Sequence, residues 1–166
     1  MRVGIDTSWD MQVGIDTSWF LASFSSYFQT LFFGDFREKN QDEIELKDVC
    51  AAEFIHLLEA IYPSVDIEAD NEDLMRSNVE CLLRLADCYQ VDIVTKRCEV
   101  YLKKCPVSEV ALEDKVLYAQ DYRLPKLMEQ CIKEFKTVDD VKKLRQTSQY
   151  SRLTQKTQLL IHENIT

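Results

Sequence analysis

Residues 25–48 read SSYFQTLFFGDFREKNQDEIELKD, and how this stretch folds decides how the rest is read. Tyr27, Phe28, Leu31, Phe32 and Phe33 recur at helical spacing and form a wide apolar face. Ser25 and Ser26 stand just before that face, where a helix N-terminus takes a hydroxyl cap. Gly34 stands where the helix should stop. A polar loop follows, and Glu43-Ile44-Glu45-Leu46 then alternates charged and apolar residues, as a half-buried strand does. Phe36 breaks the polarity of the loop, set among Asp35, Arg37, Glu38, Lys39 and Asp42. An aromatic in that setting either tucks into its own domain or meets a partner.

Downstream, residues 51–62 carry Phe54, Leu57, Leu58 and Ile61 on one helical stripe, and Pro63 stops the helix. His56 lies off that stripe and reads as solvated, and Val65 to Ile67 reads as a short strand. The acid-rich DIEADNED lacks the glycine and the spaced glutamate of a calcium loop and reads as a solvated turn. Asn71 or Ser77 can cap the next helix, whose stripe is Val79, Leu82, Leu83 and Ala86. Val94, Cys98, Tyr101 and Leu102 make the stripe of the helix after it. Pro106 marks a soft boundary, with Ser108 as a cap beyond it. Leu112, Val116, Leu117 and Ala119 form one further helix, and Pro125 suits the first turn of the next. That helix carries Leu127, Met128, Cys131, Ile132 and Phe135. Thr137 with Asp140 forms a capping box before Val138, Val141 and Leu144. Thr154 caps a last helix with Leu159, Ile161 and Ile165 as its apolar residues.

Ahead of all this the heptapeptide VGIDTSW occurs at residues 3–9 and again at 13–19. Two copies are too few for a solenoid. They read either as a duplication or as a hairpin that pairs Val3-Gly4-Ile5 with Val13-Gly14-Ile15.

The chain has 166 residues, room for one domain or for one domain with an appendage. Three glycines and three prolines leave few tight turns and favour helix. The net charge of −9 disfavours nucleic acid and anionic membrane and suits protein partners. Cys50, Cys81, Cys88, Cys98, Cys105 and Cys131 contain no CxxC pair, and only two histidines are present, so zinc spacing is missing. Cys81 and Cys88 share a helical face and read as core residues. No signal peptide or long apolar run is seen, so a reducing compartment and free thiols are expected. No Gly-rich phosphate loop occurs, and His56 and His162 fall on different helices with no nucleophile motif beside them. Asp139 and Asp140 are adjacent and therefore diverge on a helix. The expectation is a binding protein and not an enzyme, with no catalytic residues, no metal and no cofactor.

SSYFQTLFFGDFRE, followed by EIEL and FIHLLEAIYP, resembles the BTB (POZ) domain. NVECLLRLADCYQVDIVTKRCEVYL resembles the helix pair that comes later in that family. The resemblance implies an α+β, mostly helical BTB/POZ fold, short strands with a helical cluster, over residues 20–104. An atypical repeated segment, 1–19, would precede it, and a C-terminal helical extension of BACK or 3-box type, 107–166, would follow. BTB domains open with two strands before the serine-aromatic helix. Here WFLASF matches only the end of that part, so the implied domain is N-terminally abbreviated.

BTB adaptors that recruit a cullin-3-type scaffold carry a hydrophobic-x-Glu motif after this helix, and Phe36-Arg37-Glu38 stands in that place. The resemblance thus implies a ubiquitin-ligase adaptor, cytoplasmic or nuclear, with Phe36 as anchor, Glu38 as its polar companion and Tyr62 as a neighbour. The alternative it implies is a scaffold that forms homodimers, or heterodimers with other BTB proteins, through Tyr27, Phe28 and Phe32. A Skp-like cullin linker ranks lower, because those proteins lack the SSYFQTLFF pattern.

Overall fold

The computed structural model describes residues 2–4, 17–34, 43–45, 49–62 and 69–165. In chain order the described elements are β1 (Arg2–Gly4), α1 (Thr17–Phe24), α2 (Ser26–Phe33), β2 (Glu43–Glu45), α3 (Ala51–Ile61) and α4 (Ala69–Cys88). They continue with α5 (Asp92–Lys104), α6 (Leu112–Asp121), α7 (Pro125–Glu134), α8 (Val138–Arg145), a 3-10 turn (Tyr150–Arg152) and α9 (Gln155–Glu163). The fold is mostly helical. Its strands among the described residues are one antiparallel pair, with Val3 opposite Ile44 and Arg2 opposite Glu45. Val3-Gly4, which the sequence offered to residues 13–15, is thus paired with the EIE strand. Residues 13–15, like the strand expected at 65–67, lie outside the described residues.

Two compact units can be distinguished, Met1–Lys96 and Arg97–Thr166, and the division falls inside α5. In the first, α1 packs on α2 and α3 on α4. Ser25 alone separates α1 from α2. Its extended backbone (φ −144°, ψ 121°) breaks the helical path, and its hydroxyl oxygen accepts the Phe28 N–H at 3.1 Å. The same hydroxyl donates to the carbonyl of Tyr89, so a helix cap also ties α2 to the end of α4. Gly34 closes α2 with φ −73°, a conformation open to any residue, so the helix stop does not depend on glycine there.

The first unit is built around aromatic rings. Phe28 stacks on Tyr89 at 5.2 Å and meets Phe54 edge-on at 6.1 Å. Leu57, Ile61, Val79, Leu82, Leu83 and Ala86 complete this buried interior. Two stripe assignments shift. Ala60 is buried where Leu58 was expected, and Cys88 is exposed and Cys81 only half-buried. Cys81 sits about 100° round the helix from Leu82, at the edge of the stripe and not on it. Asn71 and Ser77 are also not caps, because α4 already begins at Ala69.

In the second unit α6 packs on α7. Val116, Leu127, Cys131, Phe135, Val141, Leu144 and Ile161 form its interior. Ser108 does not start α6. The helix begins at Leu112 after Ala111, with no side-chain cap. Pro125 occupies the first turn of α7, and Thr137 and Asp140 make the expected capping box on α8. Thr154 caps α9 by accepting the Thr157 N–H, but Leu159 and Val138 face out, 57% and 63% exposed. Lys115 is buried, and its ammonium donates to the Cys105 carbonyl at 2.6 Å, satisfying an acceptor just past the end of α5.

Both α4 and α6 end in the same way. Gln90 and Arg123 each hold φ 54°, and the following N–H bonds back to the last turn, Val91 to Ala86 at 2.8 Å and Leu124 to Ala119 at 2.9 Å. This is the left-handed helix stop, made here by Tyr-Gln-Val and Tyr-Arg-Leu without glycine.

Candidate protein-docking site

α3 ends at Tyr62, whose N–H donates to the Leu58 carbonyl at 2.9 Å while its backbone turns extended (φ −68°, ψ 127°). A proline follows, which favours that geometry and stops the helix. Tyr62 is 43% exposed, and its ring stacks on Phe20 of α1 with centroids 3.9 Å apart and planes within 11°. Beside Phe20, Trp19 lies against Phe33 at 4.5 Å. Trp19 is 65% exposed and Phe33, the last residue of α2, is 39% exposed. Two consecutive residues of α1 therefore touch the C-terminal ends of two other helices. Phe36 and Glu38 lie outside the described residues, so of the three cullin-contact candidates the structure places Tyr62.

The three dimer candidates separate by environment. Phe28 is 1% exposed and Phe32 9%, both facing the interior of their own unit, whereas Tyr27 reaches the surface and touches the Phe28 and Tyr89 rings. In this conformation Tyr27 is the member of the trio with surface to offer. Trp19 and Phe33, neither of them among the dimer candidates, offer more. Trp19 was hidden by lying at the end of the second heptapeptide copy.

Charged groups near these helices are paired locally. Glu53 of α3 accepts from Arg84 of α4 at 2.7 Å. The Arg84 hydrogen bond, followed by the Cys50 N–H, holds the Glu53 carboxyl below its ordinary range. Cys50 caps α3, its sulfur accepting the Glu53 N–H at 3.5 Å. His56 sits beside Glu59 at 3.2 Å. Among the described residues no group of His, Cys, Asp or Glu side chains converges as a metal would require. No described helix is long and apolar enough to cross a membrane.

In the second unit a cavity of about 200 Å³ opens between α6, α7 and α8, lined by Leu112, Glu113, Phe135, Asp140 and Lys143 among others. Its Asp140 carboxylate is occupied by the Thr137 N–H at 2.9 Å and hydroxyl at 2.8 Å, which hold it below the usual carboxylate range. All six cysteines are free thiols, and burial pushes Cys98 up to about 12 and Cys131 up to about 11.

Comparison with known proteins agrees with this helical arrangement. Residues 17–106 match the BTB/POZ domain. BTB and MATH domain-containing protein 38 of Caenorhabditis elegans is 34% identical over 88% of this chain and 36% of its own length. BTB and MATH domain-containing protein 36 of the same organism is 36% identical over 80% of this chain and 39% of its length. BTB and MATH domain-containing protein 45 is 33% identical over 76% of this chain and 25% of its length. The chain thus spans well under half the length of these relatives. Over more than half of its own residues it carries the family's pattern, and the chain belongs to the BTB/POZ domain family.

Proposed function

We propose that this BTB domain works as a protein-interaction module that docks a cullin-3-type scaffold, as a substrate adaptor or adaptor remnant of a RING ubiquitin ligase, without catalysis of its own. The observation that supports this reading most is the exposed Tyr62 ring at the end of α3, on a BTB domain whose hydrophobic-x-Glu triplet is Phe36-Arg37-Glu38. Phe36 is the apolar anchor, worth a few kcal/mol when seated in a partner groove. Glu38 and Tyr62 are its companions. The helices α6 to α9 serve as a BACK- or 3-box-like extension that follows the domain. The net charge of −9 favours a partner surface of opposite sign and speeds encounter more than it tightens binding. Work of this kind belongs to the cytoplasm or nucleus.

The relatives are named for a MATH domain besides BTB. A pull-down against the N-terminal domain of the scaffold tests the main reading. Wild type should bind, and Phe36→Ala should lose binding with an unchanged melting curve. A lowered melt together with lost binding would make Phe36 a core residue instead.

A second reading, self-association without a ligase role, draws on Trp19, Phe33 and Tyr27 as exposed aromatics on α1 and α2. Sedimentation at micromolar concentration separates the two, since a strict monomer rules out the scaffold.

A further inference from the structure

We propose that Phe20 is a positioning residue for the docking surface: its ring sets the orientation in which Tyr62 meets a partner. This rests on the reading of Tyr62 given above, and it assigns a role to α1, an element that the hydrophobic-x-Glu loop does not include.

Tyr62 is the last residue held by α3 and the first with extended backbone, so the helix fixes its Cα but not its ring. Its hydroxyl has no hydrogen-bond partner among the described residues. The directional contact on the ring is the near-parallel stack with Phe20, 3.9 Å between centroids. Phe20 is itself held. It is half-buried and lies 5.0 Å from Phe24, one turn further along α1. Its neighbour Leu21 is 1% exposed, which anchors α1 on the interior. A ring backed by a second ring that is itself packed, with 43% of the residue still open to solvent, is a pre-organised contact. Binding then does not have to freeze an aromatic side chain that would otherwise sample its rotamers. A leucine at position 20 would keep the apolar volume and lose the flat platform.

The test uses the full 166-residue chain and the N-terminal domain of a cullin-3-type scaffold as probe. Phe20→Leu, Tyr62→Leu and the double variant are compared by calorimetry, each checked for an unchanged melting curve. Phe20→Leu should weaken binding roughly 3- to 10-fold, the range of an aromatic pair. The double variant should bind no more weakly than Tyr62→Leu alone. Phe20→Tyr, which keeps the stack, should restore affinity. Additive losses would overturn the proposal, since Phe20 would then act independently of Tyr62. Unchanged binding by Phe20→Leu beside a clear loss in Tyr62→Leu would overturn it too.

Nuclear magnetic resonance of the unbound protein provides a readout that needs no partner. Loss of the Phe20 ring current should shift the Tyr62 ring protons in Phe20→Leu, and unmoved signals would show that no stack exists. Wild type that fails to bind the scaffold would remove the reading of Tyr62 as a cullin contact. The ring shifts would still decide whether Phe20 orients Tyr62.

Discussion

Arg123 holds a left-handed backbone at φ 54° that costs a residue with a Cβ about 1 kcal/mol. Arg123→Gly should therefore be more stable than Arg123→Ala by about 0.5 kcal/mol after the greater freedom of glycine in the unfolded chain is subtracted, seen as a small difference in melting temperature between two variants that lose the arginine side chain alike. At Gln90 the change to glycine also forfeits a side-chain bond, because the Gln90 side-chain oxygen accepts from the Ser26 hydroxyl. Glu53 gives a pH-dependent counterpart. Arg84 holds its carboxyl below the ordinary value of 4.5, so its contribution is present above that value and is lost as pH falls through the lower, folded one. Wild type should accordingly melt higher than Glu53→Gln near pH 7, and the gap should close as pH falls below 4.5 and through the lower, folded value. A gap that persists in acid would mean that Glu53 acts through packing. At this scale the sequence was legible where one residue type has one job. Ser25 as a cap and Pro125 in a first turn are such cases. It was silent on the pairing of Phe20 with Tyr62, which joins positions far apart in the chain, and on the buried Lys115, because lysine gives no periodic signal for the interior.

Helix starts show which signals propagate from residue to element. The Thr137–Asp140 box specifies the start of α8 by reciprocal hydrogen bonds, and both were readable from the residue types. Thr137→Ala should cost about 1 kcal/mol, and Thr137→Ser should recover most of it, as read from urea denaturation. Equal losses in both would mean that the threonine methyl, and not the hydroxyl, supports the helix. α6 carries no such device. It begins at Leu112 with Glu113 and Asp114 in its first turn, where the helix dipole favours acids, and that weaker signal was passed over for the hydroxyl of Ser108. α9 misled for a geometric reason. Leu159 and Ile161 are two residues apart, about 200° on a helix, so burying Ile161 turns Leu159 to solvent. The apolar run there was real, but its residues could not all share one face.

For the whole molecule, scarce glycine and proline and the repeated 3.6-residue stripes made a helical protein legible, and accumulated motifs made the family legible. What stayed hidden was the partner of β2. Strand pairing depends on residues distant in sequence, and the alternation of Glu43-Ile44-Glu45 announces a strand without naming its neighbour. The distribution of the six cysteines over both units turns the fold into a chemical pattern. Cys50 and Cys88 are exposed, Cys81 is half-buried beside Glu53 and Arg84, and Cys98, Cys105 and Cys131 are buried. The thiolate is the reactive form, and burial raises Cys98 to about 12 and Cys131 to about 11, so access and ionisation act in the same direction. With a thiol-directed reagent at neutral pH, Cys50 and Cys88 should be modified first, Cys81 more slowly, and the buried three only after denaturant is added. Peptide mass spectrometry after timed quenching identifies each site. Early modification of Cys98, Cys105 or Cys131 would mean that the second unit, which holds all three, opens. The exposed and half-buried thiols lie in the first unit and the buried three in the second, so the order of labelling tests the packing of the second core, without a partner and without any assumption about function.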